Sequence, residues 1–453
     1  MKTKLACTLG PSLSTPEDIA KAVELGCRIF RINFSHGDRR LWRSLASSVR
    51  EAAGRTGERC VLIGDLKGGS VRVTGLDKTI SLDVGESVRF SLDGDVRLPH
   101  PEFFTKVEVG DTLVFDDGRG VLKVVACDNR SAVAQAVRPA SISPNKSIVI
   151  RGKEVEPPDY LEACRDGLEA AVEMNLDYAG LSFVRSAEDI EEVGRFLESR
   201  GSRMGLIAKV ETPSAVRNIS EICEKSDAVL IARGDLGMHF SLELVPRLQK
   251  TIVEAAYNAC KPVIVATQLL GSMVNEPVPT RSEIVDVMTC VEDGVDVLML
   301  TAETAVGRYP LESVGWLANI AETYEKGVKP RRTLPQDSEV MDKFALAVVN
   351  LAESLAAKMA IFTMNGNMAR RIARFKPVGG VIAATPNEHI IPRLMVMWGV
   401  VPLVVEAETY SEGLEKLEKK LEEAKLAEPG DTFVLTYGLV KEPVHTVKMK
   451  IYP

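Results

Sequence analysis

The chain has 453 residues, 45% of them hydrophobic, enough to bury several cores, and its size makes two or three domains the expectation. Its 56 basic and 63 acidic residues leave a formal charge of -7, spread evenly, which speaks against a nucleic-acid footprint and for a small-molecule partner. Eight cysteines without a C-x-x-C pair read as reduced thiols of a cytoplasm, not as a disulfide framework or zinc site, and no run of about 18 apolar residues offers a membrane span.

The opening MKTKLACTLGPS has only a short apolar stretch before Gly10 and Pro11, so it does not read as a signal peptide. Strand-length apolar runs then recur, each followed by helical periodicity: LACTLG (5–10), IFRINF (29–34), CVLIGDL (60–66), YAGLSFV (178–184), GLIAKVE (205–211), AVLIARGD (228–235), PVIVATQ (262–268) and VDVLMLTAE (295–303). Eight buried strands alternating with helices predict an α/β fold, a closed (β/α)₈ TIM barrel over 1–67 and 154–332, with an open doubly wound sheet as the alternative.

Between the third and fourth runs, 68–153 changes texture. Short alternating stretches such as VLKVV (121–125) and AVAQAV (132–137), split by Gly and Asp turns, predict a small inserted all-β domain. KPRRTLPQ (329–336) reads as a linker. Beyond it, 338–453 predicts a C-terminal α/β domain, with a helix near Phe344–Lys358 and strands at AIFTM (360–364), VGGVIAAT (378–385), VVPLVVE (400–406) and TFVLTYG (432–438). EGLEKLEKKLEEAKL (412–426) places Leu414, Leu417, Leu421 and Leu426 on one side of a solvated amphipathic helix. Only four glutamines, and 31 arginines against 25 lysines, hint at a thermophile.

In such a barrel the chemistry sits at the C-terminal ends of the strands. The fifth run ends in Lys209, Val210 and Glu211, and alternation sends Lys209 and Glu211 to one side. The sixth ends in ARGDLG, whose glycines let backbone N–H groups approach an anion and whose Asp235 adds a second carboxylate. Two carboxylates with room for water and ligand oxygens suit Mg²⁺, although each acid taken singly could be a barrel salt bridge. On the second run Arg31, Asn33 and Ser35 share a face, a cation suited to phosphate beside neutral oxygens, with His36 following as a cap or packing group. The third run ends in Asp65, Leu66 and Lys67, with Arg72 soon after. The seventh ends in Thr267 and Gln268, where a β-branched Thr is also an ordinary strand residue.

RINFSHG (31–37), GDLKG (64–68), AKVE (208–211), ARGDLG (232–237), PVIVATQLL (262–270), PTRSE (279–283) and TAETAVGRYP (301–310) resemble, in order and spacing, the successive signatures of the pyruvate kinase family. The resemblance covers nearly the whole chain. It implies transfer of the phosphoryl group of phosphoenolpyruvate to ADP, giving pyruvate and ATP in the last step of glycolysis, by a cytoplasmic homotetramer. It further implies that Lys209 contacts the phosphoryl group in transit and that Arg31 binds phosphate. Glu211 and Asp235 would hold Mg²⁺, with Mn²⁺ able to substitute. The amides of Gly234 and Asp235 would bind the substrate carboxylate, and Thr267 would touch substrate and relay a proton through water. Asn33, His36 and Arg72 lie at nucleotide-binding positions. The inserted domain would act as a lid, with Asp117 of VFDDGRG (114–120) swinging toward the site on closure.

The sequence departs from the family pattern in three places. Relatives that require K⁺ surround it with an Asn, a Ser, an Asp and a Thr carbonyl, with a Glu in KGPEIR. Here Asn33, Ser35 and Asp65 are kept, Leu66 replaces the Thr, and KGGSVR puts Ser70 at the Glu position, where potassium-independent relatives often carry a Lys; the balance favours potassium independence. Gly68-Gly69 replaces Gly-Pro at the hinge and predicts a looser lid. Thr363, Met364, Asn365, Gly366, Asn367 and Met368 offer one hydroxyl where relatives activated by fructose 1,6-bisphosphate have several, so that activator is not expected. Arg370 and Arg371 read as a solvated basic face or as contacts for another anion. A magnesium-dependent pyruvate aldolase or lyase barrel would need neither Arg72 nor a lid, and an inactive metabolite sensor would not need Lys209, Glu211, Asp235 and Thr267 together.

Overall fold

The eight apolar runs form parallel strands: β1 (Lys4–Thr8), β2 (Cys27–Asn33), β3 (Val61–Asp65), β4 (Tyr178–Leu181), β5 (Gly205–Val210), β6 (Ala228–Ala232), β7 (Val263–Ala266) and β8 (Val297–Leu300). The structure, a computed structural model, describes residues 1–116, 118–155, 159–328, 332–335, 338–438 and 445–453. The strands close in the order β1-β8-β7-β6-β5-β4-β3-β2, with β1 hydrogen-bonded to both β2 and β8. Closure decides against an open doubly wound sheet.

The runs are apolar throughout because both faces of each strand are covered. Leu5, Phe30, Leu62, Ala208, Ile231 and Leu298 face the surrounding helices in one core. Ile29, Ile63, Ile207, Leu230, Ile264 and Met299 belong to another, which continues into Met359, Ile361, Met395 and Val400 of the C-terminal unit. That unit therefore closes the floor of the barrel and leaves the opposite mouth for chemistry.

Between β3 and β4 lie a six-stranded and a two-stranded sheet, whose strands run from Ile80 to Ile150 around Phe90, Leu113 and Leu122. A short helix, Pro101–Lys106, is the one element there that alternation did not suggest. The inserted sheets rest on the barrel: Val114 and Val149 pack on Met238, and a Cβ placed at Gly118 would stand 3.2 Å from the Gly237 carbonyl oxygen. Gly118 also has φ +87, so glycine is needed there for conformation and for close approach.

The C-terminal sheet runs in the order Val400–Val404, Val381–Thr385, Lys358–Phe362, Thr432–Thr436, Val447–Ile451, with only the last strand antiparallel. The helix expected near Phe344–Lys358 is Val340–Ser354, and Lys358 instead opens a strand. The amphipathic helix is Tyr410–Glu423; it buries Leu414, Leu417 and Leu421, and Leu426 lies beyond its end. Of the linker segment, 329–331 and 336 lie outside the described residues. Arg332 is held by Glu353 at 2.5 Å and by the Phe375 carbonyl at 2.6 Å. Among the described residues no helix is long and apolar enough to cross a membrane.

Candidate active site

At the mouth, β2, β3 and β5 bring four charges together. Parallel register sets Asn33 beside Asp65, and Arg31 reaches back to the same carboxylate through Nε at 2.7 Å and through Nη2. Its Nη1 donates to Thr8 Oγ1 at 3.0 Å. Lys209 Nζ approaches Asp65 Oδ1 at 3.0 Å, Glu211 Oε1 at 2.8 Å and Ser182 Oγ at 2.7 Å. Glu211, 1% exposed, accepts the Phe183 N–H at 2.9 Å through its other oxygen.

Burial opposes the charge on Lys209, yet Asp65 and then Glu211 overcome it and hold the ammonium above its ordinary pKa. Burial likewise opposes ionisation of Asp65, and Arg31 and Lys209 overcome it, so the carboxyl stays below its ordinary value. Two cations and two carboxylates are thus paired with one another at the mouth.

Across the mouth, β6 runs directly into the helix Arg233–His239, and β7 ends in a turn with two successive left-handed residues, Thr267 (φ 72) and Gln268 (φ 55). A β-branched residue in that region is a genuine outlier and costs about 1–3 kcal/mol. Arg233 holds the turn, donating to the Thr267 carbonyl at 3.0 Å and the Gln268 carbonyl at 3.1 Å, and is itself fixed by Asp286 at 2.7 Å. The outcome is that Thr267 Oγ1 accepts the Gly234 N–H at 2.8 Å.

Asp235 lies in the first turn of that helix, and its charge acts on both Lys209 and Arg72. Arg72 donates to Ser70 Oγ at 3.0 Å and to the Asn145 carbonyl at 2.9 Å, and its Nη2 lies 3.5 Å from Ser35 Oγ. Burial holds its pKa below the ordinary value, although Asp235 and Glu211 pull the other way. His36 is depressed by burial first, then by Arg72 and Arg31, which sets it on the same side of the mouth. Asn33 Oδ1 accepts the Ser35 N–H at 3.1 Å, and the Leu66 carbonyl accepts Ser182 Oγ at 2.8 Å. Asp117 lies outside the described residues.

Among the described residues no three His, Cys, Asp or Glu side chains converge into a metal cage. Glu211, just past β5, and Asp235, in the first turn of the helix after β6, are hard carboxylates of the kind that suit Mg²⁺ when substrate and water complete its shell.

A model of the pyruvate kinase barrel domain matches residues 1–314, and one of the pyruvate kinase alpha/beta domain matches residues 342–452. The chain belongs to the pyruvate kinase family. It is 38% identical over 450 residues to a pyruvate kinase of Aeropyrum pernix, covering 99% of this chain and 98% of that one. A pyruvate kinase of Thermotoga maritima is 33% identical, with 96% of each chain covered. Among solved structures, pyruvate kinase from Pyrobaculum aerophilum superposes with a TM-score of 0.88 at 37% identity, covering 99% of both chains. A pyruvate kinase from Cryptosporidium parvum reaches 0.90 at 28% identity, with coverages of 100% and 96%.

Against this pyruvate kinase frame, sequence reasoning passed over Ser182, Arg233, Asp286 and Glu303. Ser182 was hidden in an apolar run although it follows directly on the end of β4, the kind of position that drew attention to Glu211. Arg233 stood inside a quoted motif with no role. Glu303, 1% exposed, accepts the backbone N–H groups of Leu270 and Thr301 at 3.1 and 2.7 Å and braces the turn after β7.

Proposed function

We propose that the chain transfers the phosphoryl group of phosphoenolpyruvate to ADP, giving pyruvate and ATP. The observation that carries this, within the family, is the Lys209 ammonium held beside Arg31 by buried carboxylates at the barrel mouth. Phosphoryl transfer asks little covalent chemistry of a protein and much alignment and positive charge around the group in flight. Arg31 would orient the phosphate and Lys209 would stabilise charge on it in the transition state. The Gly234 and Asp235 amides would take the substrate carboxylate, and Thr267, poised at the Gly234 amide, would touch substrate and pass a proton toward the enolate through water. Arg72, Asn33 and His36 would meet the nucleotide, and the inserted sheets, already seated on Gly237 and Met238, would exclude water.

Glu211 and Asp235 would hold Mg²⁺, or Mn²⁺ in its place, and the ion supplies charge neutralisation on the transferring phosphate when bound. A K⁺ site built from Asn33, Ser35, Asp65 and the Leu66 carbonyl is disfavoured. Ser70 stands where potassium-requiring relatives carry a Glu, and it accepts from Arg72 Nε at 3.0 Å, which brings that guanidinium within 3.5 Å of Ser35. Potassium-independent turnover follows.

A cytoplasmic homotetramer is the assembly we propose. Its support is the strand Val447–Ile451 at the open edge of the C-terminal sheet. Lys448 and Lys450 pair at the surface with Glu418 and Glu422 of the helix Tyr410–Glu423, at 2.5 and 2.9 Å, and Val447, Met449 and Ile451 are exposed as well. An apolar edge turned to water invites a second copy.

The direct test is pyruvate release from phosphoenolpyruvate with ADP and Mg²⁺, with and without K⁺. Turnover in both supports the reading; no turnover in either, over temperatures up to those of thermophiles, sinks it in favour of the aldolase or sensor.

A further inference from the structure

The inserted sheets leave and re-enter the barrel through two connections, and both touch the segments around Glu211. The outgoing one passes Gly68, where φ is +57 and a Cβ would stand 2.9 Å from the Ser182 carbonyl oxygen, so only glycine suits it. The returning one follows the strand Ile148–Ile150. Lys153 on it still belongs to the inserted domain, pairing with Glu108 at 2.6 Å and Asp111 at 2.9 Å. At Glu154 the grip changes. Its backbone carbonyl accepts Lys106 Nζ of the inserted domain at 2.8 Å, while its side chain crosses to the barrel, where Oε1 accepts the Ser214 N–H at 2.6 Å.

That carboxylate is not an ordinary surface ion pair. Its side chain is 11% exposed, and the nearest cation, Arg217, stands 3.7 Å away and is itself 67% exposed. Oε2 is buried without a protein partner, as are Ser147 Oγ and His239 Nδ1. These three residues line one crevice of about 40 Å³, room for two or three waters at roughly 10–15 Å³ each and too small for a metabolite. Among the described residues the Ser214 amide is therefore the one close protein donor to the group.

Ser214 follows shortly on Glu211 in the turn after β5. Between them Thr212 Oγ1 accepts the Ala215 N–H at 3.0 Å and donates to the Val184 carbonyl at 3.3 Å, beside Phe183, whose N–H goes to Glu211. A short chain of bonded groups thus runs from Glu154 to the Glu211 carboxylate. We propose that Glu154 is a positioning residue, which fixes the turn after β5, and with it Glu211, to the returning edge of the inserted domain. It acts through Ser214 and Thr212: a shift of the inserted sheets carries the Glu154 backbone with Lys106, and the side chain passes that shift to the strand end. The effect on turnover rests on the phosphotransfer reading, whereas the anchorage does not.

The test is amide hydrogen exchange of the full-length chain, read by mass spectrometry. In Glu154→Ala the segment 211–218 should exchange about tenfold faster, through loss of one charge-assisted hydrogen bond, and 178–186, which carries the Phe183 amide, several-fold faster. The strand Val297–Leu300, across the barrel, should be unaltered. Glu154→Gln keeps an oxygen for Ser214 and should restore most of the protection in both segments. Glu154→Asp, a methylene too short, should not, and it supplies the same loss should Glu154→Ala fail to fold. Unchanged exchange of 211–218 overturns the anchorage; faster exchange there without a change in 178–186 overturns the coupling to Glu211. In the turnover assay half-saturating Mg²⁺ should rise about fivefold in Glu154→Ala and fall back in Glu154→Gln. An unaltered Mg²⁺ requirement likewise overturns the coupling, and should the natural chain show no turnover, the phosphotransfer reading falls and exchange alone decides.

Discussion

Asp65 pairs with Lys209 at 3.0 Å while also holding Arg31, so one buried carboxylate serves two cations from two different strands. Replacing it as Asp65→Asn leaves two buried cations short of a counter-charge and should cost about 3–5 kcal/mol at neutral pH. The folded-state pKa of Asp65 is lowered, so its contribution is present above its ordinary value and lost as pH falls through the folded one. That of Lys209 is raised, so its contribution is complete below the ordinary lysine value and lost only as pH rises beyond it. The melting-temperature gap between the natural chain and Asp65→Asn should therefore be flat from about pH 5 to 9 and narrow in acid. A gap independent of pH down to about 2 would count against this account.

Lys209→Met should lower kcat by about a thousandfold or more while changing the KM for phosphoenolpyruvate only several-fold, because its interaction strengthens chiefly in the transition state. Steady-state assay of both constants decides; a loss confined to KM would make Lys209 a binding residue only.

The left-handed turn after β7 makes two opposite predictions. Gln268→Gly relieves backbone strain and should raise stability by about 1 kcal/mol, seen as a higher melting temperature. Asp286→Asn releases Arg233 from its ion pair and should lower kcat about tenfold by letting the Thr267 hydroxyl drift. Equal activity of Asp286→Asn and the natural chain would detach the clamp from function.

Turnover with sodium or tetramethylammonium as the only monovalent cation should lie within about twofold of that with K⁺. Ser70→Glu removes the hydroxyl that holds Arg72 and restores the acid of potassium-requiring relatives, and should bring in a K⁺ response. Strict dependence of the natural chain on K⁺ would overturn the reading of Leu66 and Ser70 as signs of a lost ion site.

Met449→Lys places a charge in the exposed stripe of the edge strand and should shift the sedimenting species to a smaller assembly without altering the far-ultraviolet spectrum. An unchanged sedimentation profile would mean that this strand is not an interface.

The barrel was legible because strands covered on both faces must be apolar along their whole length, and each of the eight runs became one. Their polar tails were less so. Thr267 and Gln268 looked like the end of a strand, since nothing in a Thr-Gln pair announces left-handed backbone that Arg233 holds from a distance. The strand Val447–Ile451 escaped notice because its apolar residues are exposed and its lysines pair with a helix, so its alternation marks no buried face. In the site, the strand-end rule located Lys209, Glu211 and Asp235. It could not reveal that Asp65 is shared or that Ser182 bridges Lys209 and Leu66, because such contacts join strands far apart in the chain.

The hydrogen bond from Gly234 N–H to Thr267 Oγ1 means that the ligand-free pocket is already answered from within. If the Gly234 amide takes the substrate carboxylate as proposed, an incoming carboxylate would meet a resident competitor, and the same hydroxyl would reclaim the amide when product departs. Entry and exit would then be coupled through one exchange of acceptors, and a Thr267→Val chain, lacking that stand-in, should show slower product dissociation even before its chemistry is considered.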